Sequence, residues 1–459
     1  MNKRKRPAFL QAGFFVKTSS NHKMKKIVTG ILLLITGSLF GQQKPDSKLQ
    51  WFHEAKLGIF IHWGIYAVNG IDESWSFHNH KISHEDYMKQ LNGFTALNYD
   101  PAQWAGLIKE SGARYAVITS KHHDGVALWD TKMNKLSIPA STPAQRDVLS
   151  PFIGELRKAG LKTGLYYSLI DWTHPDYPGF LRDSVKYKLA GNPVKWQNFL
   201  SFMNGQLSEL QQLVNPDLWW FDGDWEHSAD EWQAKAIREK LIGYNPEAII
   251  NGRLAGYGDY DTPEQNFPVT RPDSPAWELC MTMNDSWGYQ GNDTDYKTPY
   301  EVISIFADVI GYGGNLLLDI GPKADGTIPA EQNMILKELG KWTSKHNEAI
   351  FGTHAGLPQG HFYGPSTLSS DSLNLYLFIS GGSCGQVMVK GLKNKVLKAV
   401  VLGTETELQP KVVGKISWSP VPGLLFLDLP EGSGDEYMTV VRLSFQEPVS
   451  LYRGKGGLQ

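Results

Sequence analysis

The sequence has little cysteine, no excess charge of either sign, and no apolar run long enough to cross a membrane. Its two cysteines, Cys280 and Cys384, occur in 459 residues, which excludes a dense disulfide scaffold and a four-cysteine zinc site. Lys and Arg number 45 against 47 Asp and Glu, so no overall charge attracts the chain to nucleic acid. Internal repeats and low-complexity tracts are also absent. With 41% apolar residues, the chain is predicted to fold as one large and one smaller globular domain.

The N-terminus has the pattern of an export signal. Met24, Lys25 and Lys26 precede an apolar run over residues 27–40, and Gly41 follows it; this order is typical of a secretory signal peptide. We predict a signal peptide over residues 1–41, with Met24 as the true start; a buried or interfacial first helix is the alternative. Without residues 1–41, 37 basic and 47 acidic residues remain, a net charge of −10. We therefore expect an acidic bacterial protein that is periplasmic or secreted, with no membrane span after signal removal.

Short apolar runs recur through the first three quarters of the chain and alternate with segments of helical length. Runs that are apolar on both faces and alternate with helices favour parallel strands in an α/β fold. We predict strands at residues 57–62, 115–119, 163–168, 218–221, 248–251, 278–282 and 315–320. We predict helices between them at residues 101–111, 150–159, 196–213, 230–242 and 300–311.

Polar and aromatic residues follow successive predicted strands. They are His62-Trp63, His122-His123-Asp124, Asp171-Trp172, Asp222, Arg253 and Asn284-Asp285. A (β/α)8 barrel collects its active site in this way, at the C-terminal ends of its strands. A doubly wound sheet would instead favour a glycine-rich turn after its first strand. We therefore predict a (β/α)8-like (TIM) barrel, although the sequence yields seven strands rather than eight.

The pattern changes after about residue 351. Strand-like runs at residues 373–379, 386–389, 397–402, 424–427 and 438–443 are divided by Gly- and Pro-containing turns. This spacing is typical of an antiparallel β-sandwich. The predicted domains are a catalytic barrel over residues 42–350 and a C-terminal β-sandwich over residues 351–459.

The densest polar cluster is Lys121-His122-His123-Asp124-Gly125, directly after a predicted buried strand. Adjacent histidines can ligate zinc or iron, and His62 and a carboxylate would then have to converge on the same metal. They can also hydrogen-bond the hydroxyls of a sugar, for which the 12% aromatic residues supply flat apolar faces. A purely structural role is the third reading.

Asp222 is the best candidate for a reactive carboxylate. It follows an apolar strand on the same parity as Trp220, so both side chains should face one side, the carboxylate beside an indole. Asp224, in the following loop, is the main rival. Helix capping is the structural alternative for strand-end aspartates.

A second carboxylate is expected downstream, and two glutamates compete for the role. Glu264 lies in a Pro-containing loop, whereas Glu278 begins a predicted strand, at the bottom of a barrel and away from the chemistry. Glu264 is therefore preferred. A retaining glycosidase uses one carboxylate as nucleophile and another as acid/base. Arg253 or a nearby histidine could keep the nucleophile ionised.

Several segments, taken in order, resemble the α-L-fucosidases of glycoside hydrolase family 29. The resemblance extends over about residues 49–329 and rests on LGIFIHWG at residues 57–64, the His-His-Asp-Gly region 115–129, GLYYS at 164–168, WWFDG at 219–223, TPEQ at 262–265, residues 277–289 and GGNLLLDIGP at 313–322. The resemblance implies a barrel followed by a β-sandwich, and hydrolysis of α-L-fucosides with retention, without a metal or other cofactor. Fucosylated oligosaccharides or glycoconjugates would be the substrates.

By resemblance, Asp222 is the nucleophile and Glu264 the acid/base, with Glu278 as the alternative. The implied substrate-binding residues are His62, Trp75, His122, His123, Tyr167, Trp220, Arg253 and Trp287. One departure concerns a Glu-Trp pair that contacts fucose hydroxyls in many members. Here Ser74 stands in the glutamate position before Trp75, which leaves the role of Glu73 open.

The segment 277–289 looks closer to members that cleave branched α-1,3/1,4-linked fucose. Two other classes of function stay open at this stage. One is a metal-dependent barrel hydrolase built on His62, His122, His123 and Asp222, whose activity chelation would abolish. The other is a catalytically inactive fucose-binding protein that keeps the fold without the chemistry.

Overall fold

The computed structural model describes residues 47–380 and 385–454. The predicted signal peptide lies outside these residues. Within them, no helix is both long and apolar enough to span a membrane.

The described residues form α-helices and β-strands that alternate through the first part and become mostly strands after residue 353. The helices are α1 Gln50–Ala55, α2 Trp75–His78, α3 His84–Met88, α4 Pro101–Glu110, α5 Ile138–Ser141, α6 Leu149–Lys158, α7 Pro193–Leu213, α8 Ala229–Trp232, α9 Ala234–Tyr244, α10 Pro299–Gly311, α11 Ala330–Lys345 and α12 Asn347–Ile350. The strands are β1 Leu57–Ile61, β2 Tyr115–Lys121, β3 Lys162–Ser168, β4 Gly179–Leu181, β5 Ser184–Val185, β6 Leu218–Asp222, β7 Ile249–Ile250, β8 Glu278–Thr282, β9 Asn315–Ile320, β10 His354–Ala355, β11 Ser366–Leu368, β12 Asn374–Ser380, β13 Gly385–Lys390, β14 Lys398–Val401, β15 Thr406–Glu407, β16 Lys411–Val413, β17 Leu424–Leu429 and β18 Met438–Ser444.

Seven parallel strands form the central sheet, in the order β7-β6-β3-β2-β1-β9-β8. All seven are the strands predicted from the sequence. The segment 260–264 fills the gap between the two ends of this sheet. It makes isolated parallel bridges from Tyr260 to Asn251, at the end of β7, and from Asp261 and Glu264 to Trp277 and Cys280, at β8. The ring of the predicted barrel closes through this irregular segment, which is why no eighth strand stands out in the sequence.

The strands are buried on both faces, as their apolar runs predict. Along β6, Leu218 and Trp220 belong to the core inside the ring, whereas Trp219 and Phe221 pack in the layer outside it. This alternation follows from the two-residue period of a strand. Asp222, which ends β6, therefore has the inward parity that the sequence predicts.

The predicted helices are present, with one break. Helix α4 begins at Pro101 and is capped by the Asp100 carboxylate, which accepts hydrogen bonds from two backbone N–H groups of the first turn, the usual requirement at a helix N-terminus. The segment predicted as one helix over residues 230–242 is divided into α8 and α9 by Gln233, whose backbone is left-handed. Helix α11, which packs Ile335, Leu339 and other side chains against the barrel, was not predicted from the sequence.

The C-terminal strands form two antiparallel sheets, as predicted. The larger has the order β10-β11-β12-β18-β14-β15 and the smaller β13-β17-β16. Alternate residues of β12 pack into two different hydrophobic cores. Leu375 and Leu377 pack between the two sheets, whereas Tyr376 and Phe378 join the core of the barrel helices. The sandwich is therefore packed directly onto the outside of the barrel.

Candidate active site

The candidate active site lies at the C-terminal ends of the barrel strands. Every strand of the central sheet contributes to it, from its C-terminal half or from the loop that follows. The contributors are His62 after β1, His122 and His123 after β2, Tyr166 in β3, Asp222 at the end of β6, Arg253 after β7, Glu264 from the closing segment, Trp287 after β8 and Asp319 in β9.

Asp222 is held by two donors. The Tyr166 hydroxyl donates to Oδ2 at 2.9 Å, and Arg253 Nη1 donates to Oδ1 at 3.0 Å. A guanidinium and a phenol that both donate to a carboxylate stabilise its ionised form. Asp222 is buried apart from its opening to the pocket, so this arrangement presents a charged, fixed oxygen atom to a bound ligand.

Glu264 is held by the same guanidinium. Arg253 Nη2 lies 2.6 Å from Glu264 Oε2, so one arginine contacts both carboxylates. The Glu264 side chain is 40% exposed, against 11% for Asp222. Burial disfavours the charge of Arg253, but the neighbouring carboxylates, Asp222 foremost, outweigh burial and raise its pKa. The two carboxylates thus share one permanent positive charge and differ in their access to solvent.

The backbone around Glu264 is fixed by the adjacent strand. Gln265 N donates to Cys280 O at 2.9 Å, and Cys280 N donates to Pro263 O at 3.1 Å. Gln265 itself has a left-handed backbone with φ of 57°, and its side-chain amide donates to the Thr282 hydroxyl at 3.1 Å. Glu264 therefore sits on a segment anchored to β8 rather than on a free loop.

Trp220 forms the floor beneath these charges. The Arg253 guanidinium carbon lies 4.7 Å from the centre of the Trp220 ring, a cation–π arrangement that stabilises a partly desolvated arginine. The Tyr166 ring stacks on the same indole at 5.7 Å. Trp220 is buried, and it supports the pocket from the side that the sequence predicts.

The three histidines line the opposite wall, and each engages a partner through Nδ1. The partners are Asp319 for His62 at 2.7 Å, Ser74 for His122 at 2.7 Å and Ser168 for His123 at 2.6 Å. Burial, followed by neighbouring positive groups, lowers the pKa of all three well below its ordinary value. They are therefore neutral imidazoles, suited to hydrogen bonds with hydroxyl groups rather than to anion binding.

The hydrogen-bond network fixes the tautomer of His123. The Ser168 hydroxyl donates to Ile170 O at 2.7 Å, so it accepts from His123 Nδ1–H. His123 Nε2 is then an unprotonated acceptor. It lies 3.6 Å from Asp222 Oδ2 and has no hydrogen-bond partner within the described chain. A buried acceptor without a partner, beside the Asp222 carboxylate, is suited to receive a hydrogen bond from a ligand hydroxyl.

These histidines do not form a group of metal ligands. In residues 47–380 and 385–454, no three His, Cys, Asp or Glu side chains are arranged to hold a metal ion. The metal-dependent alternative requires His62, His122, His123 and Asp222 to converge on one point, and their arrangement does not provide it.

Tyr167, expected from the sequence to bind substrate, is not in the pocket. Its hydroxyl donates to Gln206 on α7 at 2.8 Å, and its ring belongs to the layer between strands and helices. The neighbouring residue Tyr166 points into the barrel instead and reaches Asp222. The correction follows from strand parity, because Tyr166 pairs with Trp220 across β3 and β6 and so shares its inward direction.

The two rival carboxylates occupy other positions. Glu278 is fully buried below Trp220, where it accepts hydrogen bonds from Trp220 Nε1 at 3.0 Å and from the Tyr115 hydroxyl at 2.5 Å. Asp224 accepts from the backbone N–H of Ala255 at 2.8 Å and so anchors the loop behind Arg253. Both oxygens of Glu278 are therefore engaged away from solvent, whereas Asp224 is tied to the backbone of the loop after β7 through Oδ2.

Trp75, Trp225 and Trp287 surround the opening. Trp75 meets the His123 ring edge-on at 5.4 Å, and Trp287 lies 4.9 Å from the His62 ring. Trp225 is 55% exposed and lies nearly parallel to Trp75 at 6.4 Å. Trp225 was not among the residues predicted from the sequence, although its place three residues after Asp222 and its large apolar surface were a signal for a role in the site.

The protonation of Glu278 gives a prediction about stability. Burial raises the pKa of Glu278 to about 7, against the opposing hydrogen bonds from Tyr115 and Trp220. The folded protein therefore holds a proton that the unfolded chain releases near its ordinary pKa of 4.5. The contribution of this proton to the free energy of unfolding is therefore fully present at low pH and is lost as the pH rises to about 7.

Glu278→Gln, which has nearly the same shape and no charge, should remove this dependence. We expect the free energy of unfolding of the variant, relative to that of the wild type, to be roughly 3 kcal/mol higher at pH 8 than at pH 5. Urea denaturation at both pH values measures this difference. An equal difference at the two pH values would show that Glu278 is not protonated in the folded protein.

Comparison with known proteins agrees with this geometry. A family model described as α-L-fucosidase matches residues 41–348. The human tissue α-L-fucosidase is 30% identical, over 83% of this chain and 85% of the human protein.

Solved structures agree as well. The α-L-fucosidase isoenzyme 1 from Paenibacillus thiaminolyticus superimposes with a TM-score of 0.79 and 32% identity, over 87% of this chain and 99% of that protein. A family 29 α-L-fucosidase from Bacteroides thetaiotaomicron, trapped as a covalent intermediate with 2-fluoro-fucosyl fluoride, superimposes with a TM-score of 0.77 and 27% identity, over 87% and 96%. The chain therefore belongs to the α-L-fucosidases of glycoside hydrolase family 29.

Proposed function

We propose that this fucosidase removes terminal α-L-fucose from fucosylated glycans with retention of configuration, Asp222 acting as nucleophile and Glu264 as acid/base. The observation that carries the proposal is the bridge made by Arg253 between these two carboxylates, at 3.0 Å and 2.6 Å. A shared guanidinium brings the two carboxyl groups close together, as a double displacement requires; an inverting enzyme needs room between them for a water molecule.

In the first step, Asp222 attacks the anomeric carbon of fucose. Tyr166 and Arg253 hold its two oxygens, so it is ionised and oriented before the sugar arrives. Glu264, protonated as substrate binds, gives its proton to the departing glycosidic oxygen. A covalent fucosyl ester on Asp222 results, and the leaving group departs with the proton.

In the second step, Glu264 takes a proton from water as the water oxygen attacks the anomeric carbon. The bond between that carbon and Asp222 breaks, which releases fucose and restores the Asp222 carboxylate. Esterification removes the negative charge of Asp222 and leaves the Arg253 guanidinium to Glu264, which has just given up its proton. The carboxylate form of Glu264 is thereby stabilised at the stage that needs a base. Glu264 is also the more exposed of the pair, as an entry path for water requires.

The pocket walls suit fucose chemically. The neutral His62, His122 and His123 offer hydrogen-bonding nitrogens to hydroxyl groups. Trp287 and Trp75 offer aromatic faces to the apolar side of the ring and its methyl group, and Trp220 supports Arg253 and Tyr166 from beneath. We further propose a preference for branched α-1,3/1,4-linked fucose, which rests on the resemblance of residues 277–289 to members with that preference.

Substitution of the two carboxylates tests the mechanism on two substrates, an aryl α-L-fucoside and a branched oligosaccharide with α-1,3/1,4-linked fucose. Asp222→Asn should lower kcat on both by about 10³-fold or more. Glu264→Ala should cost about 10²-fold or more on the oligosaccharide and much less on the aryl fucoside, because an activated leaving group needs little protonation.

Glu278→Gln is the matched control for this experiment and should retain turnover on both substrates. If Glu264→Ala leaves oligosaccharide hydrolysis intact and Glu278→Gln abolishes it, the acid/base assignment is wrong. Release of fucose by the wild type from the aryl substrate alone would reject the proposed linkage preference.

The adjacent tyrosines of β3 provide a second matched pair. Tyr166→Phe removes the hydroxyl that donates to Asp222 and should lower kcat by about 10-fold. Tyr167→Phe removes a hydroxyl that bonds Gln206 outside the ring and should leave kcat within about 2-fold, although it removes one buried hydrogen bond. Steady-state kinetics on the aryl fucoside measures both, and a larger loss for Tyr167→Phe would contradict the assigned orientation of the strand.

A further inference from the structure

The side chains of four consecutive residues after the first barrel strand, Asp72 to Trp75, point in different directions. Asp72 Oδ1 accepts from Gln290 Nε2 at 2.7 Å. The Ser74 hydroxyl lies 2.7 Å from His122 Nδ1, and the Trp75 ring meets His123. Glu73, between them, is turned the other way, into the protein.

The side chain of Glu73 is hydrogen-bonded to the backbone of a distant segment. It is buried, and Oε1 accepts a hydrogen bond from the N–H of Gly288, the residue that directly follows Trp287. Burial, followed by nearby carboxylates including Asp72 and Asp124, raises the pKa of Glu73 to about 7, while the Gly288 hydrogen bond opposes the shift. A neutral carboxyl still accepts this hydrogen bond through its carbonyl oxygen, so the contact does not depend on charge.

The backbone that Glu73 holds is packed tightly on two sides. A Cβ atom at Gly288 would lie 2.5 Å from the Tyr66 ring and 3.0 Å from Glu73 Oε1. A Cβ atom at Gly321 would lie 2.6 Å from Tyr289 N and 2.9 Å from Trp287 O. The segment 287–289 is therefore packed between Gly321 on one side and the side chains of Tyr66 and Glu73 on the other. The hydrogen bond from Gly288 N–H to the Glu73 carboxyl fixes the position of this segment between them.

Trp287 is the part of this segment that faces the pocket. Its ring packs on His62 at 4.9 Å and on Phe60 at 6.0 Å, and so forms one wall of the site together with a histidine whose Nδ1 is already engaged by Asp319. A shift of the peptide between Trp287 and Gly288 would move this ring directly.

We propose that Glu73 is a positioning residue that sets the Trp287 wall of the fucose pocket through the Gly288 N–H. The inference rests on the proposed function, because it assumes that fucose binds against this wall. It also explains the departure from the family pattern at this point. The carboxylate expected at the position of Ser74 is replaced by a hydroxyl directed at His122, and the carboxyl one residue earlier supports the wall from behind.

Two substitutions at position 73 distinguish the effect of side-chain length from the effect of side-chain charge. Glu73→Gln keeps the length of the side chain and an acceptor oxygen but cannot ionise. Glu73→Asp keeps the carboxyl but is one methylene shorter, so it cannot reach Gly288. We expect Glu73→Asp to raise KM for an aryl α-L-fucoside, and Kd for L-fucose, by about 10-fold. Its kcat should change by less than about 3-fold, and Glu73→Gln should stay within about 3-fold of the wild type in all three quantities.

Calorimetric binding of L-fucose distinguishes a failure of this inference from a failure of the proposed function. A wild type that neither hydrolyses the fucoside nor binds L-fucose would reject the proposed function and this inference with it. An active wild type with unchanged fucose binding in Glu73→Asp would overturn only the inference. Loss of binding in Glu73→Gln with retention in Glu73→Asp would also overturn it, because charge rather than reach would then matter. Glu85→Ala, on the exposed surface of α3, is the control for folding.

Discussion

The arrangement of this site depends on one arginine between two carboxylates. Arg253 is largely buried on the Trp220 ring and contacts Asp222 and Glu264, which come from different segments of the barrel. A buried guanidinium needs compensating charge, and two carboxylates so close together need a cation between them. The three groups therefore stabilise one another, and the closing segment 260–264 must remain in the ring for the contact to exist.

Burial shapes the surroundings of this charged trio. Desolvation keeps the three histidines neutral and favours the protonated forms of Glu73 and Glu278. Arg253 and the two carboxyl groups that it contacts occupy the centre, and the surrounding polar groups interact through hydrogen bonds. Such a pocket discriminates by the directions of hydroxyl groups and the shape of its aromatic walls, as recognition of a neutral sugar requires.

Much of this site could be predicted from the sequence because strand parity is a local property. The parity that places Asp222 beside Trp220 inside the barrel depends only on their spacing, and the structure agrees. Tyr166 and Tyr167 could not be separated in this way, since the choice depends on the register of β3 against β6. The closing segment 260–264 could not be predicted, because a segment that makes only isolated bridges around Pro263 has no periodic pattern of apolar residues in the sequence. Asp319 was hidden within an apolar strand, and its role becomes apparent only when β9 lies beside His62.

Trapping the covalent fucosyl ester on Asp222 tests the proposed mechanism most directly. The wild-type protein is incubated with 2-fluoro-fucosyl fluoride, digested and analysed by mass spectrometry with fragmentation. We expect one fluorofucosyl adduct, located on Asp222, which forms more slowly in Tyr166→Phe and is absent in Asp222→Asn. An adduct on Asp224 or Glu264, or turnover of fucosides by Asp222→Asn at the wild-type rate, would contradict this mechanism.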